Sequence, residues 1–440
     1  MASTYLSRTQ SASTTRTKFT FSCWVKLAST SGYRYIASSY ASNDNRLGFY
    51  MHSNYGFTCY ARIQGADHAL RINLAQHRDV NGWYHFVVKG DTTQSSQADR
   101  IKLYTNGVEV TDYQTDSSNN LGSSDNFAFG TTGHTFYIGN YDGTQYMYDG
   151  LMSHMHFCDG YAYDPSAFGS TDSTTGEWKI NTSPNVSYGT NGFFLFKDDN
   201  AVTDRSGQGN NFTLGGGTLT KTEDNPSNIF DTINANFAKT GGVNGRDSNI
   251  RVFLDNGNTR LSTDVALWTT MLGSIPMFSG KYYWECKRTY EGSPSNHLAR
   301  VGIEPLDTAG TTLGSPIGTN TDSINYQTEG GGLKGNSSYS GTYASWQSNN
   351  DIVQVAVDMD NHFIYFGKNG TWQNSGDPTS GSNGTGGIAI TSGKGYVNGF
   401  TVHRGGGSAG GDKTMLKMNF GNGYFQNTAV ASAGTNASGN

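Results

Sequence analysis

The sequence from Asp351 to Trp372, DIVQVAVDMDNHFIYFGKNGTW, contains the clearest strand pattern of the chain. Three valines in its first half alternate with polar or small residues, which is the period of two typical of a strand. Residues 360–361, Asp-Asn, are predicted to form a two-residue turn, because both residues tolerate left-handed backbone conformations. The stretch is therefore predicted to be a β-hairpin.

The predicted turn fixes which residues face each other across this hairpin: Val357 lies opposite Ile364, and Val355 lies opposite Phe366. Cross-strand neighbours share a face, so the apolar rows coincide, whereas a slip of one residue would separate them. Phe363 and Tyr365 add apolar area to the other face. This pattern indicates a core strand that is covered on both sides.

A second hairpin is predicted far upstream, in DRIKLYTNGVEVT at residues 99–111. Asn106-Gly107 is a strong hairpin signal, because a type I′ turn needs positive φ at both central residues. This turn pairs Leu103 with Val110 on the face that also carries Ile101. Two well-specified hairpins so far apart in the chain favour two separate β-sandwiches.

The composition is that of short strands joined by many turns. The 440 residues include 58 Gly and only 8 Pro, with 13% aromatic and 15% charged residues. Such a chain is long enough for two or three domains, and its composition favours an all-β architecture. The formal net charge of −5 and the absence of basic runs argue against a nucleic-acid partner.

The four cysteines have neither CxxC spacing nor a neighbouring histidine at metal-binding spacing, so they are predicted to be buried free thiols: Cys23, Cys59, Cys158 and Cys286. The first residues, MASTYLSRTQ, contain no apolar run and are not expected to be a secretory signal. No apolar stretch is long enough to insert into a membrane. The chain is expected to be made in a cytoplasm and to leave it only by lysis.

Several segments of the first half occur in a characteristic order: FTFSCWVKL (19–27), GWYHFVVKGD (82–91), IKLYTNGVEV (101–110), FYIGNYDG (136–143) and YDGLMSHMHFCDG (148–160). This order resembles the laminin-G-like or concanavalin-A-like jelly roll. The resemblance covers about residues 1–215 and implies an antiparallel β-sandwich over that range.

Shorter motifs in the same region narrow the resemblance: YLSRT (5–9), Asp149-Gly150, Phe157, Asp159-Gly160, PSAFG (165–169), TGEW (175–178), YGTNGFFLFKD (188–198) and DRSGQGNN (204–211). Together they are similar to structural proteins of tailed bacteriophages, particularly marine ones. Each motif is weak alone, but the combination is specific. The resemblance implies a place on the exterior of a virion.

Strand patterns are lost in residues 216–245, which are predicted to connect two domains, and they return afterwards. Four segments of the second half are similar to the SPRY sandwich: SGKYYWECK (279–287), ARVGIE (299–304), the hairpin at 351–372 and MNFGNGYF (418–425). Asn350 stands where that family usually has Gly, and the insertion GGGSAGG at 405–411 is unusual. Neither departure removes the resemblance.

The predicted fold class is all-β, with two antiparallel β-sandwiches in series. Residues 1–215 form the laminin-G-like jelly roll, residues 216–245 the connection, and residues 246–426 the SPRY-like sandwich. Residues 427–440 are small and polar, and are expected to be a tail with little order of its own.

No catalytic motif is present. Glycan-cleaving jelly rolls carry closely spaced acids on one strand, whereas the glutamates here are isolated. His154 and His156 could share a strand face and hold a metal, but packing explains them better. Asp358 and Asp360 are explained by the chemistry of the adjacent turn. The chain is therefore predicted to be non-enzymatic, without metal or cofactor, although the sequence leaves a bound calcium ion open.

Two tyrosine-rich stretches are candidate binding loops. The first contains Tyr141, Asp142, Gln145 and Tyr146, with Tyr148 close by; the second contains Tyr326, Tyr339, Tyr343 and Trp346. An aromatic plane beside amides and carboxylates suits a sugar ring, which has an apolar C–H face and a hydroxyl rim. Tyrosine among Ser, Gly and Asn is equally typical of protein-binding loops. The alternative is that these rings pack the sandwich rims or subunit contacts.

The sequence thus favours a virion surface protein such as a tail fibre, a tail-tip component or a head decoration. Its expected partners are other virion proteins and a glycan or protein receptor on the host surface. A homo-oligomer is expected, because several weak sites gain avidity together. Two alternatives remain: a purely architectural virion subunit, and a depolymerase that cleaves host polysaccharide.

Overall fold

The computed structural model describes residues 4–28, 32–197, 201–235, 252–264, 268–291, 297–309, 316–335, 337–338, 343–404, 413–426 and 428–430. Within these ranges the regular structure consists of antiparallel β-strands and short 3₁₀ turns, without an α-helix. No helix in this part of the chain has the length and apolar character needed to cross a membrane. The predicted all-β class is confirmed.

The chain divides into two compact units. The first unit comprises residues 1–221 and 225–229, and the second comprises residues 222–224 and 230–440. The predicted connection, residues 216–245, is thus shared between the two units as far as residue 235, and its remainder lies outside the described ranges.

The strands of the first unit are β1 (Tyr5–Thr9), β2 (Lys18–Leu27), β3 (Arg34–Ser42), β4 (Asn45–Met51), β5 (Phe57–Ile63), β6 (Ala66–Asn73), β7 (Trp83–Asp91), β8 (Ile101–Thr105), β9 (Val108–Glu109), β10 (Tyr113–Asp116), β11 (Thr135–Ile138), β12 (Gly150–Asp159), β13 (Gly169–Thr171), β14 (Trp178–Ile180), β15 (Phe193–Leu195) and β16 (Thr213–Gly216). The 3₁₀ turns lie at Gln97–Asp99, Ser118–Asn120 and Pro165–Ala167.

Two sheets of the first unit enclose one core. The first sheet has the order β10-β6-β5-β4-β3-β11-β1-β16, and the second has the order β15-β12-β2-β7-β8-β9. Alternate residues point inward, so that Phe21 of β2 stacks on Phe49 of β4 with ring centroids 4.2 Å apart. Two of the predicted buried thiols, Cys23 and Cys59, lie in this core.

An additional layer covers the outer face of the second sheet. The hydroxyl of Thr20 donates to the carbonyl of Tyr161 at 2.8 Å, and Phe168 packs against His156 with ring centroids 5.1 Å apart. Cys158 lies in a small apolar cluster beneath this layer, together with Tyr188. Strand β2 is therefore buried along nearly its whole length, on both faces.

Two aspartates of the shorter motifs in this region organise turns beside the second sheet. The Asp204 carboxylate accepts hydrogen bonds from the backbone N–H groups of Phe194, Ser206 and Asn210 at 2.8–2.9 Å. The Asp159 carboxylate likewise accepts the backbone N–H of Asn191 at 3.0 Å. Each carboxylate satisfies buried donors of a turn, so these motif residues are structural.

The Asn106-Gly107 hairpin is confirmed. Thr105 pairs with Val108, and the backbone N–H of Val110 donates to the carbonyl of Leu103 at 2.8 Å. Asn106 and Gly107 have φ angles of +49° and +79°, as a type I′ turn requires.

The strands of the second unit are β17 (Val252–Asp255), β18 (Arg260–Thr263), β19 (Thr269–Leu272), β20 (Lys281–Tyr290), β21 (His297–Pro305), β22 (Ile324–Gln327), β23 (Leu333–Lys334), β24 (Ser337–Ser338), β25 (Ile352–Asp358), β26 (Phe363–Lys368), β27 (Thr371–Trp372), β28 (Ile388–Ala389), β29 (Tyr396–Arg404), β30 (Thr414–Asn419), β31 (Tyr424–Phe425) and β32 (Thr428–Ala429). Its 3₁₀ turns lie at Gln373–Ser375 and Gly381–Asn383.

The second unit is also a two-sheet sandwich. One sheet has the order β17-β18-β30-β20-β25-β26-β27, with β28 paired to β26, and the other has the order β19-β29-β21-β22-β23-β24. Their facing sides bury one apolar core, which includes Cys286 beside Met418. With Cys23, Cys59 and Cys158, all four cysteines are buried and free, as predicted.

The hairpin at residues 351–372 has the predicted register: Val355 pairs with Phe366, and Val357 pairs with Ile364. The predicted two-residue turn is wrong, because the last pair is Asp358–Phe363 and four residues form the loop. Only His362 has positive φ, at +64°, and the Asp358 carboxylate caps the loop by accepting the N–H groups of residues 360 and 361. Two- and four-residue loops preserve the same register, so the pattern of the strands did not distinguish them.

Two departures from the SPRY pattern have different outcomes. Asn350 has a φ of +73°, and Asn is among the residues that tolerate this region where Gly is usual. The insertion at residues 405–411 lies outside the described residues. Of the predicted tail, Thr428–Ala429 pairs with Tyr424–Phe425 as a short strand, and residues 427 and 431–440 are not described.

The part of the connection that belongs to the second unit is tied down by a buried carboxylate. Asp231 accepts the backbone N–H groups of Ser274 and Ile275 at 2.8 and 3.0 Å, and the side-chain amide of Asn398 at 2.6 Å. Burial raises the pKa of Asp231 to about 6 despite these bonds. Ile233, two residues further on, is fully buried in the core.

Replacing Gly107 with Ala should destabilise the first unit by two separate effects. The positive φ costs an L-residue about 1–2 kcal/mol, and the added methyl would lie 2.4 Å from the Trp178 ring. We expect a lower melting temperature in thermal denaturation. Gly176→Ala is the matched control, because Gly176 has a φ of +75° with open space around it.

The two glycine variants separate backbone strain from steric overlap. Gly176→Ala should show the conformational cost alone, and Gly107→Ala should add about 1–3 kcal/mol from overpacking. Equal destabilisation by the two substitutions would contradict the packing of Trp178 against this turn.

Candidate binding site on the first unit

The outer face of the first unit's larger sheet is covered by tyrosines. Strands β3, β4 and β5 and the loops beside them contribute the residues that we call the tyrosine face: Tyr33, Tyr35, Tyr40, Tyr50, Tyr60, Tyr141 and Tyr146. Three of them, Tyr35, Tyr50 and Tyr141, are buried and form its floor. In an antiparallel sheet with one buried face, the outward positions of the strands are usually polar, so this aromatic patch is unusual.

A glycine in β4 makes room for the floor. Gly48 lies between Ser38 and Tyr60 on the neighbouring strands, and a Cβ at Gly48 would lie 2.8 Å from the Tyr35 ring. Tyr35 crosses this position and stacks on Tyr50, with centroids 4.4 Å apart and planes 17° from parallel. The absence of a side chain at residue 48 therefore permits the stack.

The loop that contains Tyr141, Asp142, Gln145 and Tyr146 closes over this floor. The Asp142 carboxylate accepts the backbone N–H of Gln145 at 3.1 Å and its side-chain amide at 3.1 Å. The loop is fastened to β3, because the backbone N–H of Tyr35 donates to the carbonyl of Tyr146 at 3.0 Å. The structure thus brings all four predicted residues of this loop together.

Two rings of the face are open to solvent. Tyr33 is 39% exposed and Tyr146 is 46% exposed, and their ring centroids lie 5.5 Å apart at an interplanar angle of 63°. His52 continues the edge, with its ring 4.9 Å from that of Tyr33. Asp142 and Gln145 lie on the same loop as Tyr146, so this loop carries an aromatic ring together with hydrogen-bonding groups.

Burial keeps the phenols of the floor neutral. Burial raises the pKa of Tyr141 to about 12, and it raises the pKa values of Tyr35 and Tyr50 further. The Arg46 guanidinium lies over the rings of Tyr60 and Tyr141, 5.1 and 5.7 Å from their centroids. Neutral phenols act as hydrogen-bond donors and stacking surfaces, and do not supply a nucleophile at physiological pH.

The second predicted cluster has a different character. Tyr326 lies within strand β22 instead of a loop, and both Tyr326 and Trp346 are fully buried, so neither offers a face to a ligand. Tyr343 packs against Tyr326 with centroids 5.3 Å apart and is partly buried. Tyr339 lies outside the described residues. These rings close one part of the core, and burial raises the pKa of Tyr343 to about 12.

The histidines considered as metal ligands are packing residues. His156 stacks on Phe194 with centroids 4.0 Å apart, and its Nδ1 lies 2.9 Å from the Tyr188 hydroxyl. His154 has a φ of +46° at a strand irregularity and also packs against Phe194. Across the described ranges, no three side chains of the metal-binding types are grouped together.

A serine–histidine pair in the first unit is arranged against catalysis. Ser22 Oγ lies 2.8 Å from His85 Nε2, but the Trp178 indole N–H donates to His85 Nδ1 at 2.9 Å. His85 therefore carries its proton on Nε2 and donates to the serine, so it cannot remove the serine proton. Burial lowers the pKa of His85 to about 3, and the neutral ring stacks on Trp24.

The sequence analysis predicted Tyr141 and Tyr146 but missed the two other floor residues, Tyr35 and Tyr50, and the exposed Tyr33. Tyr35, Tyr50 and Tyr60 come from three consecutive strands, so none of them belongs to a loop with a local concentration of tyrosine. Each lies on the face opposite the core residues of its strand, for example Tyr50 beside the core residue Phe49. Tyrosine recurring at outward positions of successive strands was the available signal.

Paired antiparallel sheets in each unit define an all-β protein of two sandwiches in series. Residues 2–163 match the family described as the concanavalin A-like lectin/glucanases superfamily, and residues 281–389 match the SPRY domain. The chain therefore has a laminin-G-like domain followed by a SPRY-like domain. The comparison with curated proteins found no match.

Solved structures with similar folds include three of different origin. The human HERC1 SPRY domain is 16% identical, with 40% of this chain and 96% of that chain covered and a TM-score of 0.30. Mouse laminin α1 domains LG4-5 are 6% identical; the match covers 98% of this chain and 92% of that chain, with a TM-score of 0.29. Domain 4 of the arabinanase AbnA from Geobacillus stearothermophilus is 16% identical, with 35% and 65% covered and a TM-score of 0.26. At these identities and TM-scores, none of the three carries an argument about function.

Acidification should destabilise the first unit through His85. The unfolded side chain takes up a proton near the ordinary pKa of 6.5, whereas the folded one stays neutral down to about 3. Stability is therefore lost as the pH falls below 6.5, by about 1.4 kcal/mol per pH unit for this group. Urea unfolding at several pH values should give a shallower pH dependence for His85→Gln than for the wild type.

The control for this measurement is Tyr161→Ala, at an exposed tyrosine of the same unit. Its pH dependence should equal that of the wild type. If His85→Gln also retained the full wild-type slope, His85 would not be held neutral by burial.

Proposed function

We propose that this protein is a non-enzymatic surface protein of a bacteriophage virion that attaches to a glycan on the host surface through the tyrosine face. The observation that carries the proposal is the exposed pair Tyr33 and Tyr146, held on a floor of buried, stacked tyrosines beside Asp142 and Gln145. A rigid floor lowers the entropy cost of presenting the two exposed rings.

The chemistry of the rim matches a sugar ring. The C–H face of a pyranose packs against an aromatic plane, and its hydroxyls need donors and acceptors around that plane. Asp142 supplies a carboxylate and Gln145 an amide on the loop that carries Tyr146. Tyr33 and His52 supply a hydroxyl and an imidazole at the other edge.

The assignment to a virion is supported by the combination of short motifs in residues 1–215. As a tail fibre, tail-tip or head decoration protein, the chain would be present in several copies and contact other virion proteins. Weak binding at single sites would then gain strength through simultaneous engagement. Production in the host cytoplasm and release by lysis belong to the same proposal.

A second candidate function is a purely architectural one, in which the tyrosine face binds another virion protein. The composition of the loop favours it, since Tyr141 and Tyr146 occur among Gly, Asn, Thr and Gln, as in adaptable protein-binding loops. The two candidates differ in the partner and agree on the residues.

Removing the exposed rings should weaken glycan binding without unfolding the protein. We expect Tyr33→Ala and Tyr146→Ala each to cost about 1 kcal/mol, or about fivefold in affinity, on an array of glycans from the host surface. Tyr161→Ala is the matched control, because Tyr161 is 42% exposed in the same unit but lies away from the face.

The test has clear adverse outcomes. Glycan binding that is unchanged in the double variant Tyr33→Ala, Tyr146→Ala would exclude the tyrosine face as the attachment site. Binding of the wild type to purified virion proteins but to no glycan would favour the architectural function instead.

A further inference from the structure

The larger sheet of the second unit carries a row of cross-strand neighbours on its outer face. Five residues from adjacent strands β30, β20, β25, β26 and β27 stand side by side, and we call them the cross-strand row: Asn419, Glu285, Gln354, Gly367 and Trp372. The strand register places these side chains on the face opposite the core, since Trp284, Cys286, Val353, Val355 and Phe366 point inward. None of these five residues was predicted as a site.

An exposed tyrosine stands beside the row. Tyr283 is 50% exposed, and its hydroxyl donates to Glu285 Oε1 at 2.7 Å. The side-chain amide of Asn419 donates to the other oxygen of Glu285 at 3.4 Å. The Trp372 ring lies 6.4 Å from that of Tyr283, at an interplanar angle of 69°. The two aromatic rings therefore meet edge to face beside the Glu285 carboxylate, which lies between Asn419 and Gln354 on the neighbouring strands.

Each of the two aromatic residues has a small residue as its cross-strand neighbour. Ala356 is the cross-strand neighbour of Tyr283, and Gly367 is the cross-strand neighbour of Trp372. A Cβ at Gly367 would lie 3.0 Å from Gln354 Oε1 and 3.2 Å from the Trp372 ring. Glycine at this position lets the Gln354 amide and the Trp372 indole approach each other.

A groove of about 500 Å³ continues from Trp372. It is lined by Trp372 and by six further residues: Ala344, Lys368, Thr371, Gln373, Asn374 and Ser375. Lys368 is neutralised there, since its Nζ donates to the Ser345 carbonyl at 2.6 Å and lies 3.3 Å from the Asp351 carboxylate. The groove is therefore polar without presenting an uncompensated charge.

One turn that lines the groove is conformationally restrained. Asn374 and Ser375 have φ angles of +54° and +53°, which cost free energy for residues other than Gly. Gln373 fixes this turn, because its Oε1 accepts the backbone N–H of Ala344 at 2.8 Å and its Nε2 donates to the Thr371 carbonyl at 2.9 Å. Non-glycine residues at positive φ, held by such bonds, occur preferentially at binding sites.

We propose that the cross-strand row, with Tyr283 and the adjoining groove, is a second carbohydrate-binding site that takes a neutral oligosaccharide. One pyranose packs against the exposed faces of Tyr283 and Trp372, and the next sugar unit lies in the groove. The Glu285 carboxylate accepts hydroxyl groups of the ring, and the amides of Gln354 and Asn419 lie on either side of it.

The chemistry of the row selects against other ligands. A carboxylate at its centre accepts two hydroxyls of a neutral sugar but repels the carboxylate of an acidic one. A largely polar surface, with flat aromatic rings at one end, fits a sugar better than an apolar protein anchor, which needs a deep pocket. The lysine in the groove is already paired, so it offers no phosphate site.

This inference does not depend on the tyrosine face, because it concerns residues of the other unit. If both sites bind sugars, one chain carries two sites, and attachment gains avidity wherever a glycan surface can engage both. If only one site binds, the experiments on the two units give different results.

The test uses the full chain with Tyr33→Ala and Tyr146→Ala introduced to remove the first candidate site. Binding of a panel of neutral oligosaccharides is measured by glycan array and then by titration calorimetry. In this background we expect Trp372→Ala to weaken binding at least about tenfold and Glu285→Gln about fivefold, since one ring face and one charged acceptor are lost. Phe278→Ala is the matched control, because Phe278 is 64% exposed in the same unit and lies outside the row.

Conservative variants keep the test independent of folding. Trp372→Phe and Tyr283→Phe retain a ring at each position, and their melting temperatures should equal that of the background. We expect Tyr283→Phe to bind nearly normally, because stacking is its main role, and Trp372→Phe to bind less tightly because its ring is smaller. Trisaccharides should bind more tightly than the matching monosaccharide, because they also reach the groove.

Three results would overturn the proposal: no binding of any neutral oligosaccharide, binding that Trp372→Ala and Glu285→Gln leave unchanged, or binding restricted to acidic glycans. Capture of a virion protein by this face in place of a sugar would assign it to assembly. Loss of binding in the Phe278→Ala control would show that the effect is not confined to the row.

Discussion

In each unit, the cross-strand register that buries the apolar rows also aligns the residues of the outer face. Because the side-chain period of a strand is two, a slip of one residue would exchange the faces and destroy both arrangements together. In the second unit, the register that places Val355 opposite Phe366 in the core also places Gln354 opposite Gly367 outside. In the first unit, the pairing that buries Phe49 beside Cys59 also sets Gly48 beside Tyr60. Core stability therefore maintains the strand positions of both candidate sites, and local hydrogen bonds fix the loops beside them.

This dependence explains which features could be predicted from the sequence. The register of the Asn106-Gly107 hairpin followed from its turn residues, and that of the 351–372 hairpin followed from alternation, since a slip of one residue would separate the apolar rows. The length of the loop after Asp358 did not follow, because a two-residue and a four-residue loop give the same pairs. The cysteines followed from their apolar neighbours. Tyr326 and Trp346 were assigned to a loop because their surroundings are polar in sequence, but Tyr326 lies in a strand whose face is set by pairing with Val301.

The sites themselves were harder to predict than the fold, for a related reason. The loop at Tyr141–Tyr146 was visible as a local concentration of tyrosine, and it is part of the tyrosine face. Tyr35 and Tyr50, which support it, are distant in sequence and become neighbours only through the order of the sheet. The cross-strand row is an extreme case, since Glu285, Gln354 and Trp372 come from three strands and none is unusual in its own segment. Such a row can be recognised only after pairing is known.

Charged side chains near both candidate sites are mostly paired, so the sites offer little net charge to a ligand. Arg34 is paired with Asp149 near the tyrosine face, and Lys368 is paired with Asp351 in the groove. The formal net charge of −5 offers no attraction to an anionic host surface. In the proposed attachment, binding would come from stacking and hydrogen bonds, which are individually weak in water because solvent competes for the same groups. Tight overall binding would then require several sites to be engaged at once. If both proposed sites bind sugars and the chain is displayed in several copies, no single contact has to be strong.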